Sequence, residues 1–382
     1  MKEIVEKSKC CGCHACLNIC PQNAITMEED TKGFKYPVIN QEKCINCGMC
    51  KKVCPITNNN ENDNKLKAYA AYNKNIKDRI NSSSGGLFIL FAKEILKRKG
   101  VVFGATFTDD FEVRHSYVED IKDIHLLMGS KYSQSVISNT YKQAKKFLKE
   151  GRYVLFTGTP CQISGLKSFL RKDYDKLYTT DIICHGVPSP KLWKKYLDYL
   201  EKKYKEKVRS VSFRNKDHGW ALFRMKISFD TKTYEEERKN DLFMQSFLRN
   251  ICLRDSCYNC SFKKIHKESD ITLGDYWGIS DIHPELNDDK GVSLVFINSK
   301  KGEEFFNCIK NDLIFKETDV ELAIRNNSAM VKSVNHCINE KLFIKNIDKL
   351  DLEKLVNRYV PYFPTAPFSR KIINRIKMKF NK

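Results

Sequence analysis

The chain has 382 residues, is 41% hydrophobic and carries a formal charge of +20, from 67 Lys and Arg against 47 Asp and Glu. That length buries a sizeable core and divides naturally into one small and one large domain. Its sixteen cysteines follow an N-terminus, "MKEIVEKSKCCGC", without an apolar signal segment, and its longest apolar run is "LFILFA"; this argues against a secreted disulfide scaffold or a membrane span and for a cytoplasmic protein whose reduced thiols bind metal.

The first element is a cysteine repeat. "CCGCHACLNICP" places Cys10, Cys13, Cys16 and Cys20 in the pattern C-x2-C-x2-C-x3-C-P, and "CINCGMCKKVCP" repeats it with Cys44, Cys47, Cys50 and Cys54. This is the bacterial two-cluster ferredoxin signature, in which three close cysteines hold one 4Fe–4S cube and the fourth reaches to the other. One cluster is therefore expected on Cys10, Cys13, Cys16 and Cys54, and the other on Cys44, Cys47, Cys50 and Cys20. Zinc sites use C-x2-C pairs rather than such triplets. Cys11 does not fit the spacing and reads as a non-ligand. The ferredoxin domain is expected over residues 1–57, followed by a polar, Asn-rich linker over 58–67.

From Lys67 strands and helices alternate, which predicts an α/β core over 68–340 and an α+β protein as a whole. "KAYAAYN" reads as a strand, and Ser84 reads as the cap of the helix "GGLFILFAKEILKRKG". Then come strand "VVFGATF", helix "NTYKQAKKFLKEG", strand "RYVLFTG", helix "CQISGLKSFLRK", strand "LYTTDII" and helix "PKLWKKYLDYLEKKY". Further strands are expected at "VRSVSFR", "ALFRMKISF", "DITLGDY" and "GVSLVFIN". Neither G-x-G-x-x-G nor a P-loop is present. Three other turns, "SSSGGL", "GSKYSQS" and "FTGTPCQ", combine helix N-termini with hydroxyls, and the second adds Lys131, so an anionic cofactor has candidate seats there.

Cys257 and Cys260 form a C-x2-C, which serves metal binding or redox chemistry. Cys161 and Cys184 each follow an apolar strand, and strand C-termini gather along one edge of an α/β sheet. The four are candidates for one further metal site, a reading that spacing alone leaves open. Cys308 and Cys337 read as packing. The tail over 341–382 is expected to be helical and basic. Ile372, Ile376 and Phe380 share one face, which suits a packed or frayed helix better than membrane contact.

Seven segments, "SSSGG", "GSKYSQS", "GTPCQISGL", "DIICHGVPSP", "SFRNKDHGW", "RDSCYNCSFK" and "DITLGDYWG", in this order resemble the coenzyme F420 hydrogenase/dehydrogenase beta-subunit family. The resemblance implies FAD and a third 4Fe–4S cluster on Cys161, Cys184, Cys257 and Cys260. It implies flavin contacts at Ser84, Gly85, Gly86, Ser130, Lys131, Tyr132, Thr159 and Pro160, with His185, His218 and Trp220 near the flavin and substrate. The implied activity is an FAD-dependent iron–sulfur oxidoreductase, acting on a small molecule that is either a coenzyme F420-like deazaflavin or an intermediate of a polysaccharide pathway. The alternatives are an electron-relay subunit and a scaffold for glycan assembly that keeps its clusters as staples. The basic surface suits an acidic redox partner, a ferredoxin or a hydrogenase or dehydrogenase subunit. No nucleic-acid motif appears.

Overall fold

A computed structural model describes residues 3–57 and 66–361. Residues 58–65 of the Asn-rich linker and 362–382 of the tail, with Ile372, Ile376 and Phe380, lie outside the described residues, whereas residues 341–361 are described and include a helix over Leu352–Tyr359.

The small domain contains helix α1 (Ala15–Ile19), the antiparallel pair β1 (Ile25–Glu29) and β2 (Lys35–Ile39), and helix α2 (Met49–Lys52). The two cysteine loops share a backbone. Gly12 and Asn46 occupy the left-handed region at φ 67 and 53, as do His14 and Gly48 at φ 61 and 72.

The large domain is built on an eight-stranded sheet. In chain order its elements are β3 (Lys67–Asn73), α3 (Ile76–Ile80), α4 (Leu87–Lys97), β4 (Val101–Phe107), β5 (Val113–Val118), α5 (Thr140–Lys149), β6 (Val154–Gly158), α6 (Pro160–Leu170), β7 (Leu177–Ile182) and α7 (Pro190–Tyr204). A second, three-stranded sheet follows, with β8 (Ser210–Asn215), β9 (Arg224–Ser228) and β10 (Thr233–Glu237). Then come α8 (Leu242–Leu248), α9 (Asp255–Tyr258), β11 (Ile271–Asp275), α10 (Ile279–Ile282), β12 (Ser293–Ile297), α11 (Lys300–Ile309) and β13 (Leu313–Thr318). The large sheet runs β13-β3-β12-β11-β7-β6-β4-β5. Strands β11, β7, β6 and β4 are mutually parallel, and the flanking pairs are antiparallel.

Alternating side chains divide the core. Val102 and Leu155 face α4 and α11 through Phe91, Ile95 and Phe305. Val101, Phe103, Val154 and Phe156 face α5 and α6 through Tyr141, Ile163 and Leu166, and the small domain joins this side through Cys11, Cys13, Ala15 and Val53. Its docking depends on three places where a side chain is missing. A Cβ on Gly12 would lie 2.8 Å from the Arg254 guanidinium, one on Gly33 2.8 Å from Lys191 N, and one on Gly165 of α6 2.8 Å from Cys13 Cβ. Lys32 fastens the same interface, donating to Leu253 O at 3.0 Å and to Glu340 at 3.3 Å.

Two expectations need correction. Ser84 does not cap α4: Gly86 stands at the cap in the left-handed region, and the Ser84 hydroxyl donates to Val292 O at 3.0 Å. Cys308 is not packed inside; it is exposed on α11 and donates to Glu304 O.

Candidate functional site

The parallel strands end along one edge, and the chain leaves each of them there with a chemically useful residue. After β6, Thr159 and Gln162 form a reciprocal capping box and Pro160 opens α6, so Cys161 sits in the first turn. A thiol there feels the helix dipole, which favours thiolate. After β7 come Cys184 and His185, and α9 together with the turn after it supplies Cys257 and Cys260.

These four cysteines line one cavity, together with Cys11. Arg254, Lys263 and Lys267 also line it, whereas no Asp or Glu does among the described residues. Lys263 donates to Cys184 O. Burial pushes the Cys184 thiol up to about 12 and raises Cys257 and Cys260 as well. The Cys161 thiol is raised first by its neighbour Cys11 and then by burial. Thiols held protonated by burial release their protons when a metal supplies the compensating charge, and the surrounding cations favour a group of net negative charge. The donor set and its cations therefore suit an iron–sulfur cube, while among the described residues no three His, Cys, Asp or Glu side chains converge on a single metal ion.

In the small domain, Cys20, Cys44, Cys47 and Cys50 line a second cavity. Cys16 neighbours Cys10 and Cys54, and Cys13 neighbours both Cys16 and Cys10. Cys16 and Cys54 each also neighbour Cys50, across the two expected sets. Cys11 lies between the sites, its thiol within reach of both Cys13 and Cys161.

The expected flavin contacts separate into two groups. At Ser84, Gly85 and Gly86 the polar groups are engaged within the fold: Gly85 N bonds Ser293 Oγ at 3.0 Å, and Gly85 and Gly86 carbonyls accept from Asn73. Ser130, Lys131 and Tyr132 lie on a loop that crosses the sheet edge. Ser130 bonds Ser83 Oγ at 2.7 Å, the Tyr132 ring packs on Phe213 and Phe247, and Gln134 donates to Cys11 O at 2.9 Å. Lys131 donates to the Met128 and Gly129 carbonyls and lies over the Phe107 ring at 5.7 Å, and burial lowers its pKa to about 7. Thr159 and Pro160 border the cysteine cavity.

Of the two histidines, His185 lines the cavity, donates to Asn250 Oδ1 at 2.7 Å, packs against Phe247 and is held neutral by burial. The structure does not bring His218 to the cavity: it lies in the turn between β8 and β9, 2.9 Å from Glu235 of β10. Trp220 is buried and stacks on Trp277 at 4.9 Å. Its indole donates to Asp275 at 2.9 Å; the same carboxylate takes two bonds from Arg214, whose guanidinium reaches the Tyr132 hydroxyl at 3.3 Å.

The loop is tied to β6 through His115, which donates to Thr157 O at 2.8 Å and accepts from Ser135 at 2.7 Å. Burial lowers its pKa from 6.5 to about 4. Between those values the unfolded chain binds a proton that the folded chain refuses, so stability rises with pH across the window. His115→Gln should flatten this dependence, read as the difference between urea midpoints at pH 5 and 6.5 in the variant and the unaltered protein.

Residues 151–322 match the family described as the C terminus of the coenzyme F420 hydrogenase/dehydrogenase beta subunit, and residues 9–58 match the 4Fe-4S dicluster domain. Residues 151–322 belong to the coenzyme F420 hydrogenase/dehydrogenase beta-subunit family, as its C-terminal part. Over 321 residues, 81% of this chain, this member is 25% identical to the coenzyme F420-dependent sulfite reductase of Methanocaldococcus jannaschii, and the match spans 47% of that relative's length. A solved chain from a xenon derivative of the F420-reducing [NiFe] hydrogenase complex of Methanosarcina barkeri covers 69% of this beta-subunit relative at 16% identity and a TM-score of 0.47, with 89% of that chain matched. The chain thus joins a 4Fe–4S dicluster domain to a segment similar to F420-dependent enzymes, and it spans under half the length of the sulfite reductase it matches. Among the described residues, no helix is long and apolar enough to cross a membrane.

Sequence reasoning missed Arg254, Gln134, Lys263, Arg214 and Asp275. Three of them were within reach: Arg254 and Lys263 flank the C-x2-C in "RDSCYNCSFK", and Arg214 stands in "SFRNK".

Proposed function

We propose that this chain passes electrons between its N-terminal clusters, a third cluster and FAD, and on to an organic substrate of the F420-like deazaflavin class. The observation that carries this reading is the cation-rich, carboxylate-free cavity of four cysteines against which the dicluster loop is docked. Cys161, Cys184, Cys257 and Cys260 would hold the third cluster. Cys10, Cys13, Cys16 and Cys54 would hold the inner cluster of the small domain, and Cys20, Cys44, Cys47 and Cys50 the outer one. Bound clusters supply one-electron transfer, and a bound flavin exchanges one-electron for two-electron hydride chemistry.

The chain's own residues fit an anionic flavin nucleotide on one side only. Among the described residues Lys131 has no carboxylate partner, Gly129 at φ +79 has open space where a Cβ would stand, and the Ser130 hydroxyl and Tyr132 ring adjoin them. The engaged groups of Ser84, Gly85 and Gly86 leave them the lesser role of shaping that wall. His185, neutral and oriented by Asn250, would border the reacting groups as a hydrogen-bonding residue. His218, paired with Glu235 of the outer sheet, is better suited to a structural role.

Anaerobically purified protein should show flavin absorbance and about twelve irons per chain, three clusters of four. It should also exchange electrons between a reduced low-potential carrier and coenzyme F420. Lys131→Ala should retain less flavin at unchanged iron content. A flavin-free protein with full iron content would remove the enzyme reading.

A relay role is favoured by one finding: the match spans under half of the F420-dependent sulfite reductase. In that case a partner protein would complete the reaction, and the isolated chain would reduce no substrate. The relatives favour a deazaflavin over a polysaccharide-pathway intermediate.

A further inference from the structure

Arg254 brings a full positive charge into the interior, and among the described residues no carboxylate pairs with it. Its residue is 1% exposed. Nε donates to Cys10 O at 2.7 Å, Nη1 to Gln134 Oε1 at 2.8 Å, and Nη2 to Lys35 O at 3.1 Å and to Cys10 Sγ at 3.6 Å. The rings of Tyr36 and Phe34 flank it at 4.1 and 5.5 Å. The adjacent Asp255 is turned to Lys32. A buried cation left unpaired is strongly disfavoured, because it loses its hydration and gains nothing in return. The ionisable groups around Arg254 include Cys10, Cys11, Cys161, Cys257, His14 and the Tyr36 hydroxyl. Cys10 belongs to the inner set of the small domain and Cys257 to the set of the large domain. One guanidinium thus stands between the two sets of thiols.

We propose that Arg254 is the shared counter-charge of the inner N-terminal cluster and the third cluster, and that it raises the reduction potentials of both. The proposal rests on the reading of Cys257 and its three companions as cluster ligands. Each reduction adds one electron, hence one negative charge, to a cluster, and a fixed positive charge nearby favours that form. Transfer between the two sets moves that single electron from one to the other. No bond is made or broken and no proton moves, since arginine stays charged throughout. Because the cation is shared, it stabilises the electron on either side of the junction, where two separate cations would bias one side. The fork suits this role better than an ammonium: its donors reach the Cys10 carbonyl, the Cys10 sulfur and Gln134 at once.

The alternative is that Arg254 merely bolts the two domains together. Redox titration of anaerobic, iron-loaded Arg254→Met, followed by electron paramagnetic resonance, separates the two. The expected result is a downward shift in the potentials of both the inner and the third cluster, with the outer cluster on Cys20, Cys44, Cys47 and Cys50 unmoved as an internal control. Unmoved potentials in a protein that melts earlier would leave only the bolt and overturn the proposal. A shift confined to the inner cluster would overturn the sharing. Should Arg254→Met fail to hold its iron, Arg254→Lys decides. With the charge kept and the fork lost, both potentials should stay near those of the unaltered protein while the thermal midpoint falls; potentials that drop would overturn the proposal. Eight irons in the unaltered protein would instead remove the third cluster itself.

Discussion

Cys161→Ser, prepared anaerobically, should carry about eight irons per chain where the unaltered protein carries about twelve. The thiol lies in the first turn of α6, beside Cys11 and 3.1 Å from the Thr159 hydroxyl, at a cavity wall shared with Cys184, Cys257 and Cys260. Serine keeps the size and removes the soft ligand, and a buried hydroxyl gives up its proton far less readily than a thiol. The helix itself should survive, because its capping box uses Thr159 and Gln162 and its first position is Pro160. The two N-terminal clusters should keep their spectra, while electron flow from them to the substrate is lost. Cys11→Ser is the companion measurement. It should retain about twelve irons, because Cys11 falls outside both ligand patterns. The opposite pair of results, full iron in Cys161→Ser and loss of four in Cys11→Ser, would make Cys11 the ligand and Cys161 its neighbour.

The second large effect is expected at the docking joint. Gly12→Ala should lower the stability of the docked protein by about 2–4 kcal/mol, the sum of a left-handed backbone penalty and a packing clash. Gly12 sits at φ +67, and a Cβ there would lie 2.8 Å from both Cζ and Nη1 of Arg254. Such a contact is easily relieved when it meets the free end of a mobile side chain. Here the end is held by four hydrogen bonds and two aromatic rings, so the loop must give instead. Gly48 supplies the control. It has φ +72 but nothing within 4 Å of its Cβ position, so Gly48→Ala should lose only about 1 kcal/mol, the backbone penalty alone. Thermal midpoints of the three anaerobic proteins check the ranking. Equal losses at the two glycines would mean that the Arg254 contact contributes nothing.

The strands that carry the site were legible because they are buried on both faces. β4, β6 and β12 read as short apolar runs, β7 and β11 as shorter apolar ones broken by Thr and Asp, and the ends of β6 and β7 place Cys161 and Cys184. The edges were not legible. β10 is "TYEEE", whose acidic side chains suit a partly wet strand as well as a loop. β13 leaves Ile314 exposed and pairs with β3 from the far end of the sequence, a neighbour no local pattern announces. Cys11 was set aside because it breaks a spacing rule, yet it fills the seam between the domains. Spacing describes one loop at a time, and the role of Cys11 depends on what another domain brings against it. The same holds for Arg254, whose meaning lies in Cys10 244 residues away. Ser84 misled for a related reason: a serine before a helix is a fair cap until a neighbouring strand claims its hydroxyl.

The two cysteine loops have one backbone and opposite surroundings. Cys11 is buried at the joint, while its counterpart in the repeat, Ile45, is 61% exposed beside the exposed Cys47. With clusters in place, oxidative damage acquires a direction. Dioxygen and peroxide meet the outer loop first, and the inner loop lies behind the large domain. On the proposed electron path, ageing in air would begin at the outer cluster and reach the joint last, so a partly inactivated molecule would lose its electron entrance while keeping its shape.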